Sequence, residues 1–281
     1  MQNFVQYILV PTDFSIQSAA ALQVAAQIAR RTSAQIVLLH IVDSLLYKSM
    51  WAGEEILADT ANPAVAQIIT ELKTKLIHFT AKYAPDRIVS PCVAFQNIYL
   101  SIAEYAKKYP NCLIVMGSKG TGDTSFLMGS NTEKIIRMVS TPVLVVKGNG
   151  EDFAPKNICF AADFTNTIAL ESIAFVLKLQ QTFSAKLQLL KIITPQHFEL
   201  SSHTEKTLQD FAKTHQIQNY SSNFYNHYTE YEGILAFAES NQTDLICMTT
   251  NGSTGFMQIM LGSIAEDVAN HAKISVLTYR N

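Results

Sequence analysis

The sequence predicts an α/β fold in two tandem domains, each built on a parallel sheet. Three observations carry this. Short apolar runs alternate with longer stretches whose apolar residues recur at helical spacing, the pattern of parallel strands joined by right-handed helical crossovers. The second of these runs, QIVLLHIV at 35–42, is apolar almost throughout, which is what burial on both faces of a parallel sheet demands. The chain also repeats itself. YILVPTDFS at 7–15 returns as NICFAADFT at 157–165, LLHIVD at 38–43 as LLKIIT at 189–194, and IVMGSKGTGDTSFLMGS at 114–130 as ICMTTNGSTGFMQIMLGS at 246–263. Three segments in one order define a unit of about 140 residues, an ordinary domain size. The units are placed at 1–147 and 157–281. Between them GNGEDFAPK at 148–156 combines Gly, Pro and charge and reads as a linker.

Taken in order, residues 7–11 form an apolar strand closed by Thr12, Asp13 and Phe14. Ser15 can cap a helix carrying Ala19, Leu22, Ala26 and Ala29 on one stripe. Residues 35–42 are the second strand. Asn62 and Pro63 open a helix to about residue 83, with Ile68, Ile69, Leu72, Leu76 and Phe79 on one side. A third strand near 88–95, a helix over about 97–109, a fourth strand at 112–117, a short helix over 130–139 and a last strand over 141–147 complete the unit. The second half repeats the order: strands near 157–161, 186–193, 222–229, 244–248 and 274–279, and helices near 166–180, 202–215, 231–241 and 263–271. Residues 44–61 stand apart. They hold Trp51, the one tryptophan, with Leu45, Leu46, Tyr47 and Met50, and read either as a flap or partner contact or as an ordinary loop packed on the sheet edge.

Composition narrows the function. A hydrophobic fraction of 48% against 16% charged residues describes a globular chain, and no apolar run is long enough to span a bilayer. No basic, then apolar, leader precedes the first strand, so no secretory signal is expected. Cys92, Cys112, Cys159 and Cys247 lie far apart with no CxxC pair and read as reduced thiols of a cytoplasmic protein. A net charge of −2 gives no footprint for nucleic acid. The first 150 residues hold 13 Lys/Arg against 10 Asp/Glu (+3), and the rest 8 against 13 (−5). The seven histidines lack HxxxH or HExxH spacing, so a metal site is not expected, and no GxSxG elbow is present.

Chemistry concentrates where strands end, because open parallel sheets bind ligands beyond their carboxyl edges. Pro11, Thr12 and Asp13 end the first strand, and His40, Ile41 and Val42 the second. Met116, Gly117, Ser118, Lys119 and Gly120 end the fourth. Glycines let backbone approach a ligand, and successive N–H groups in such a turn make an anion nest. Gly129, Ser130, Asn131 and Thr132 then open a helix whose N-terminus also favours anions. Turn and helix start can together surround a triphosphate, with hydroxyls from Ser130 and Thr132 and a reach from Lys119. The pattern is not a Walker loop, since Asp123 stands where the lysine belongs. The bland alternative is a structural turn kept for helix–strand packing, with Asp13 capping the next helix.

On VPTDFS at 10–15, LLHIVD at 38–43, MGSKG…GSNT at 116–132 and TPVLVVK at 141–147, the chain resembles the universal stress protein family in its tandem form over essentially its whole length. The resemblance implies a five-stranded parallel sheet in each domain, flavodoxin- or Rossmann-like with strand order 3-2-1-4-5, and the binding of ATP or another adenine nucleotide, with Mg²⁺, at G-x2-G-x9-G-[ST]. Asp13 would then meet the adenine or ribose, and Ile41 would line the adenine pocket. Gly117, Gly120, Gly129, Ser130 and Thr132 would hold ribose and phosphates, beside Pro11, Thr12, Met116, Lys119 and Asn131. Both copies depart from the pattern. The first has eight residues between Gly120 and Gly129, and Asn131 where a small apolar residue is common. The second keeps the nine-residue spacer between Gly252 and Gly262–Ser263, but Thr249 replaces the first glycine and Ala161–Ala162 replace Pro11–Thr12. Its corresponding site is Asp163, Ile192, Met248, Gly252, Gly262 and Ser263.

The reading is an adenine-nucleotide-binding stress-response or signalling protein, at most a slow ATPase. The two domains would pair through 143–147 and 275–279 as an internal pseudo-dimer, which itself could pair further, with protein partners but no membrane or nucleic acid. The rival is a nucleotide-free interaction module whose edited glycine loops are relics. A third reading, an enzyme acting on a small adenylated or phosphorylated substrate, has only the crevice behind it.

Overall fold

The computed structural model describes residues 4–42, 63–118, 130–164, 168–250 and 257–280. In the first half, β1 (Tyr7–Pro11), β2 (Gln35–Val42), β3 (Val89–Phe95), β4 (Cys112–Gly117) and β5 (Val143–Val146) alternate with α1 (Ile16–Thr32), α2 (Pro63–Tyr83), α3 (Ile98–Lys108) and α4 (Ser130–Met138). In the second, β6 (Asn157–Ala161), β7 (Lys186–Ile193), β8 (Tyr220–Asn226), β9 (Leu245–Thr250) and β10 (Ser275–Arg280) alternate with α5 (Leu170–Phe183), α6 (Ser201–Thr214), α7 (Glu230–Ser240) and α8 (Met257–His271). A short 3-10 turn, Pro195–His197, precedes α6. The Trp51 segment lies outside the described residues.

The strands form one sheet in the order β3-β2-β1-β4-β5-β10-β9-β6-β7-β8. Each half therefore has the expected 3-2-1-4-5 order with parallel neighbours. The halves meet where β5 and β10 pair antiparallel, Val145 opposite Val276 and Val143 opposite Thr278. One core packs α1, α2, α5 and α6 on one face through Leu22, Leu76, Phe175 and Leu208. The other packs α3, α4, α7 and α8 on the opposite face through Ile102, Ile135, Phe237 and Val268. No helix among the described residues is long and apolar enough to cross a membrane.

Local chemistry sets the boundaries. The Ser15 hydroxyl accepts from the Ser18 amide at 3.1 Å and caps α1, and Asn97 caps α3 through the Tyr99 amide at 3.0 Å. Ser33 and Ser184 end α1 and α5 in the left-handed region. Three elements differ from the sequence expectation. α5 spans 170–183 instead of about 166–180. β8 spans 220–226 instead of 222–229, in register with β7 from Leu187 opposite Tyr220. α8 begins at Met257, six residues before the expected start, because Met257, Gln258, Met260 and Leu261 are good helix formers and a helix tolerates one interior glycine.

The junction is pinned on both faces. On the first, Phe4 packs edge-on against Phe175 at 5.2 Å, and Phe175 against Tyr279 at 5.7 Å. The 148–156 connection lies against α1: Gln27 Nε2 donates to the Glu151 carbonyl at 2.7 Å, and Phe153 packs on Phe183 at 5.6 Å. A Cβ at Gly150 would stand 2.1 Å from the Ala20 carbonyl oxygen, so glycine is required there. On the second face, the Arg137 guanidinium forms a two-pronged pair with Glu266 of α8. A reciprocal latch closes it. Arg280, the last residue of β10, donates to the Arg137 carbonyl in the last turn of α4, and Lys147, just after β5, donates to the Asn270 carbonyl in the last turn of α8 at 3.3 Å. Each helix C-terminus thus receives a cation from the other half, where its dipole favours one.

The Glu266 side chain is only 7% exposed. Arg137→Ala strands that carboxylate and is expected to destabilise the chain by about 2 kcal/mol, read as a lower urea midpoint. Glu266→Gln, which removes the charge with its partner's counter-charge left near water, is expected to cost less.

Candidate functional site

In this strand order β1 and β4 are neighbours whose following helices, α1 and α4, pack on opposite faces. That divergence opens a crevice at their carboxyl ends, the switch point where open α/β sheets bind ligands. The structure brings Pro11, Thr12 and Asp13 there beside Met116, Gly117 and Ser118.

The β1 end is a braced turn. The Thr12 amide donates to the Leu39 carbonyl at 2.8 Å, extending the pairing with β2. The Thr12 hydroxyl lies 2.9 Å from the Ser18 hydroxyl and accepts from the Phe14 amide at 3.0 Å. An Asp13 carboxylate oxygen accepts from the Ser15 amide at 3.0 Å. Phe14 sits at φ +64°, the left-handed region, which turns the chain sharply into α1. Its ring is fixed by His40 at 4.7 Å and Phe79 at 5.6 Å, with the Lys75 ammonium over its face at 4.4 Å. Thr12 is buried, while Asp13, Pro11 and Ile41 are half-exposed at the rim.

His40 supports this turn from below, its Nδ1 lying 2.8 Å from the Thr12 carbonyl. A carbonyl only accepts, so Nδ1 carries the proton. Burial pushes the His40 pKa below its ordinary 6.5; the Thr12 carbonyl and Asp13 oppose the shift, and Lys75 adds to it.

The β4 end is equally constrained. The Ser118 amide donates to the Val146 carbonyl at 3.2 Å. Thr132, in the first turn of α4, is buried and its hydroxyl donates to the Gly117 carbonyl at 3.1 Å. Its proton therefore fastens α4 to β4, and Asn131 is the exposed residue beside it. Gly117 has a packing reason of its own, since a Cβ would stand 2.8 Å from the backbone of Gln17 in α1. Lys119, Gly120 and Gly129 lie outside the described residues.

The second half keeps the frame and changes the fittings. The Ala162 amide donates to the Leu190 carbonyl at 3.2 Å, and Phe164 repeats the left-handed turn at φ +56°. Asp163 is exposed, Ile192 half-buried and Met248 buried. Lys191 stands where the first half has His40, and its ammonium meets Glu199 at 2.7 Å. That contact, with a bond from the Thr204 hydroxyl, holds the Glu199 pKa below the usual range. Gly262 and Ser263, expected to open a helix, are the sixth and seventh residues of α8, beyond the first four whose amides lack helical partners. Gly252 lies outside the described residues. The helix after β6 also starts late: α5 opens nine residues after Ala161, whereas α1 opens five after Pro11. Thr249 stands where the first half has Gly117.

Sequence reasoning did not single out Ser18, Gln17 or Phe14, and gave His40 no positioning role. Ser18 lies three residues beyond the helix cap, a spacing that could have revealed it. The other contacts are long-range and leave no local mark. Among the described residues, no group of three or more His, Cys, Asp or Glu side chains could hold a metal ion. The four cysteines are unpaired, three buried and Cys92 half-buried.

Comparison with known proteins gives one consistent answer. The sequence model of the universal stress protein family matches residues 5–147 and again 155–280. Two proteins of Methanocaldococcus jannaschii are similar over about half of this chain. Universal stress protein MJ0577 is 30% identical over 152 residues, 50% of this chain and 93% of its own, and universal stress protein MJ0531 is 28% identical over 149 residues, 52% and 84%. A universal stress protein crystal structure from Archaeoglobus fulgidus shares the fold across the full length, with TM-score 0.70, 18% identity and coverage of 99% of this chain and 97% of that one.

Two outcomes follow from the site's geometry. Gly117→Ala is expected to destabilise the fold by about 2 kcal/mol through the collision with Gln17, whereas Thr249→Gly should stay within about 1 kcal/mol; chemical denaturation of both variants checks this. His40 is harder to protonate folded than unfolded, so the unfolded state takes up more protons as pH falls. Its contribution is fully present above 6.5 and is lost as pH drops from there towards its lowered folded pKa. A melting temperature that falls over this window in the wild type, and falls less in His40→Gln, is the expected result.

Proposed function

The chain belongs to the universal stress protein family, and from that premise we propose that its first half binds an adenine nucleotide, ATP with Mg²⁺, in a stress-response or signalling role in the cytoplasm. The observation that carries this reading is the juxtaposition at the β1/β4 switch point of a half-exposed carboxylate, Asp13, with the N-terminus of α4 beyond Gly117. A ribose or adenine donor suits the carboxylate, and the unpaired amides of a helix start suit phosphates. Because the Thr132 hydroxyl is turned to Gly117, backbone amides rather than that side chain are the phosphate partners in this reading. The Mg²⁺ would be held mainly by phosphate oxygens, as that small, well-hydrated cation usually is. Among the described residues, none at the switch point is placed as a base for water, so turnover slower than about one per second is expected.

The second half is read as a partner domain without nucleotide. Lys191 is engaged with Glu199, Thr249 puts a side chain where backbone would approach, and α8 runs through the position where an anion-binding helix start was expected. A nucleotide-free interaction module is what remains if the first half fails the test as well.

Calorimetric titration of ATP with Mg²⁺ into the full chain is expected to give one site. Asp13→Asn keeps the acceptor for the Ser15 amide but removes the charge, and should weaken binding about tenfold, roughly 1.4 kcal/mol, while Asp163→Asn leaves it unchanged. No heat at millimolar nucleotide, or loss of the site on Asp163→Asn alone, overturns the assignment.

A further inference from the structure

The ten-stranded sheet has two outer edges, β3 and β8, and they are built differently. In β3 the Gln96 amide donates inward to Val42 at 3.3 Å, so even-numbered residues turn their amides to β2 and odd-numbered ones turn outward. Pro91 falls in the outward set and removes one donor from that edge, a common way of blunting an edge strand. In β8 the Asn219 carbonyl accepts from Leu187 at 3.0 Å, and the His227 amide donates to Ile193 at 3.1 Å. Odd-numbered residues there face β7, and Tyr220, Ser222, Phe224 and Asn226 present their backbone outward. This edge has neither proline nor any charged residue over its seven positions, and Tyr220 and Phe224 are 38% and 37% exposed. Among the described residues no strand pairs with it.

We propose that β8 is an interaction edge and that its occupant is β8 of a second copy of this chain, paired antiparallel about a twofold axis at Asn223. In that register Tyr220 lies opposite Asn226 and Ser222 opposite Phe224. These are residues with outward-facing backbone on both strands, so each can exchange both hydrogen bonds. The same register sets Tyr220 diagonally against the second copy's Phe224, within reach of an aromatic contact. Three observations favour a second copy over another partner. The strand is uncharged, so no like charges meet across the axis. An isologous contact needs only one self-complementary patch. The sheet already extends itself by antiparallel edge pairing at β5 and β10. An edge contact of this size belongs with weak interfaces, so association in the micromolar range is expected.

Sedimentation equilibrium of the full chain, over a concentration series reaching hundreds of micromolar, tests the proposal. The wild type is expected to dimerise. Ser222→Pro copies the device of β3: its amide faces outward, so the fold is kept and the edge is blocked. Phe224→Lys places like charges near the axis. Both are expected to weaken the dimer at least tenfold with melting temperatures close to wild type. Asn223→Cys, whose pair straddles the axis, should give a covalent dimer on mild oxidation that the wild type does not give. A wild-type chain that stays monomeric throughout, or a dimer indifferent to both Ser222→Pro and Phe224→Lys, overturns the proposal.

Discussion

The antiparallel pairing of β5 with β10 is the constraint on which the rest of the molecule depends. Every strand of the first half runs parallel to β5 and every strand of the second parallel to β10. One reversed ladder therefore fuses two sheets into one and points their carboxyl ends in opposite directions. The two crevices open at opposite ends of the sheet. The helix that leaves one crevice, α4, ends near the carboxyl end of the other half, which is why Arg280 can reach its last turn and Lys147 that of α8. The latch is a geometric consequence of the reversed strand pair. It also removes the β5 and β10 edges, which would otherwise expose backbone donors and acceptors.

Within that frame the two crevices have drifted apart by coupled changes. Gly117 is needed because α1 starts early and brings Gln17 against the end of β4. In the second half Thr249 takes that place and the helix starts later. His40 braces the first turn through the Thr12 carbonyl, whereas Lys191, at the same place, reaches out to Glu199 and ties the stretch after β7 to the end of its own strand. A glycine lost and a histidine exchanged read as isolated defects in the sequence. In the structure each belongs to a local rearrangement that keeps the backbone paired and the core closed.

The architecture was legible in the sequence because it rests on period and repetition: apolar runs marked the strands, and the internal repeat marked the two domains. The site was legible at the level of segments. Spacing located Pro11–Asp13 and Met116–Ser118 at strand ends, and strand order brought them together. What spacing could not say is which partner captures a given group. The Thr132 hydroxyl was as free to meet a phosphate as a carbonyl until Gly117 was seen 3.1 Å away. The GS pair at 262–263 matched the pair at 129–130 by motif, yet the residues before it are helix formers and carry α8 through it. The role of His40 depends on a contact 28 residues away, which local sequence does not encode.

The charge split between the halves belongs to the same logic. In a dimer of identical subunits a patch across the axis must complement itself, so it cannot be basic on one side and acidic on the other. Fusing the two domains in one chain lifts that restriction. The junction uses the freedom: Arg31 lies over Phe183 at 4.9 Å, Arg137 grips Glu266, and Lys147 caps α8, three first-half cations reaching into the acidic second half. The equivalent of Arg137 in the repeat is Asn270, an uncharged residue, so this ion pair has no charged counterpart at the matching position of α8. The junction is thus symmetric in its backbone and in the cations that cap its two helix ends, and asymmetric in its Arg137–Glu266 ion pair. That combination holds the halves in a fixed order and leaves each crevice to diverge without disturbing the contact that orients it.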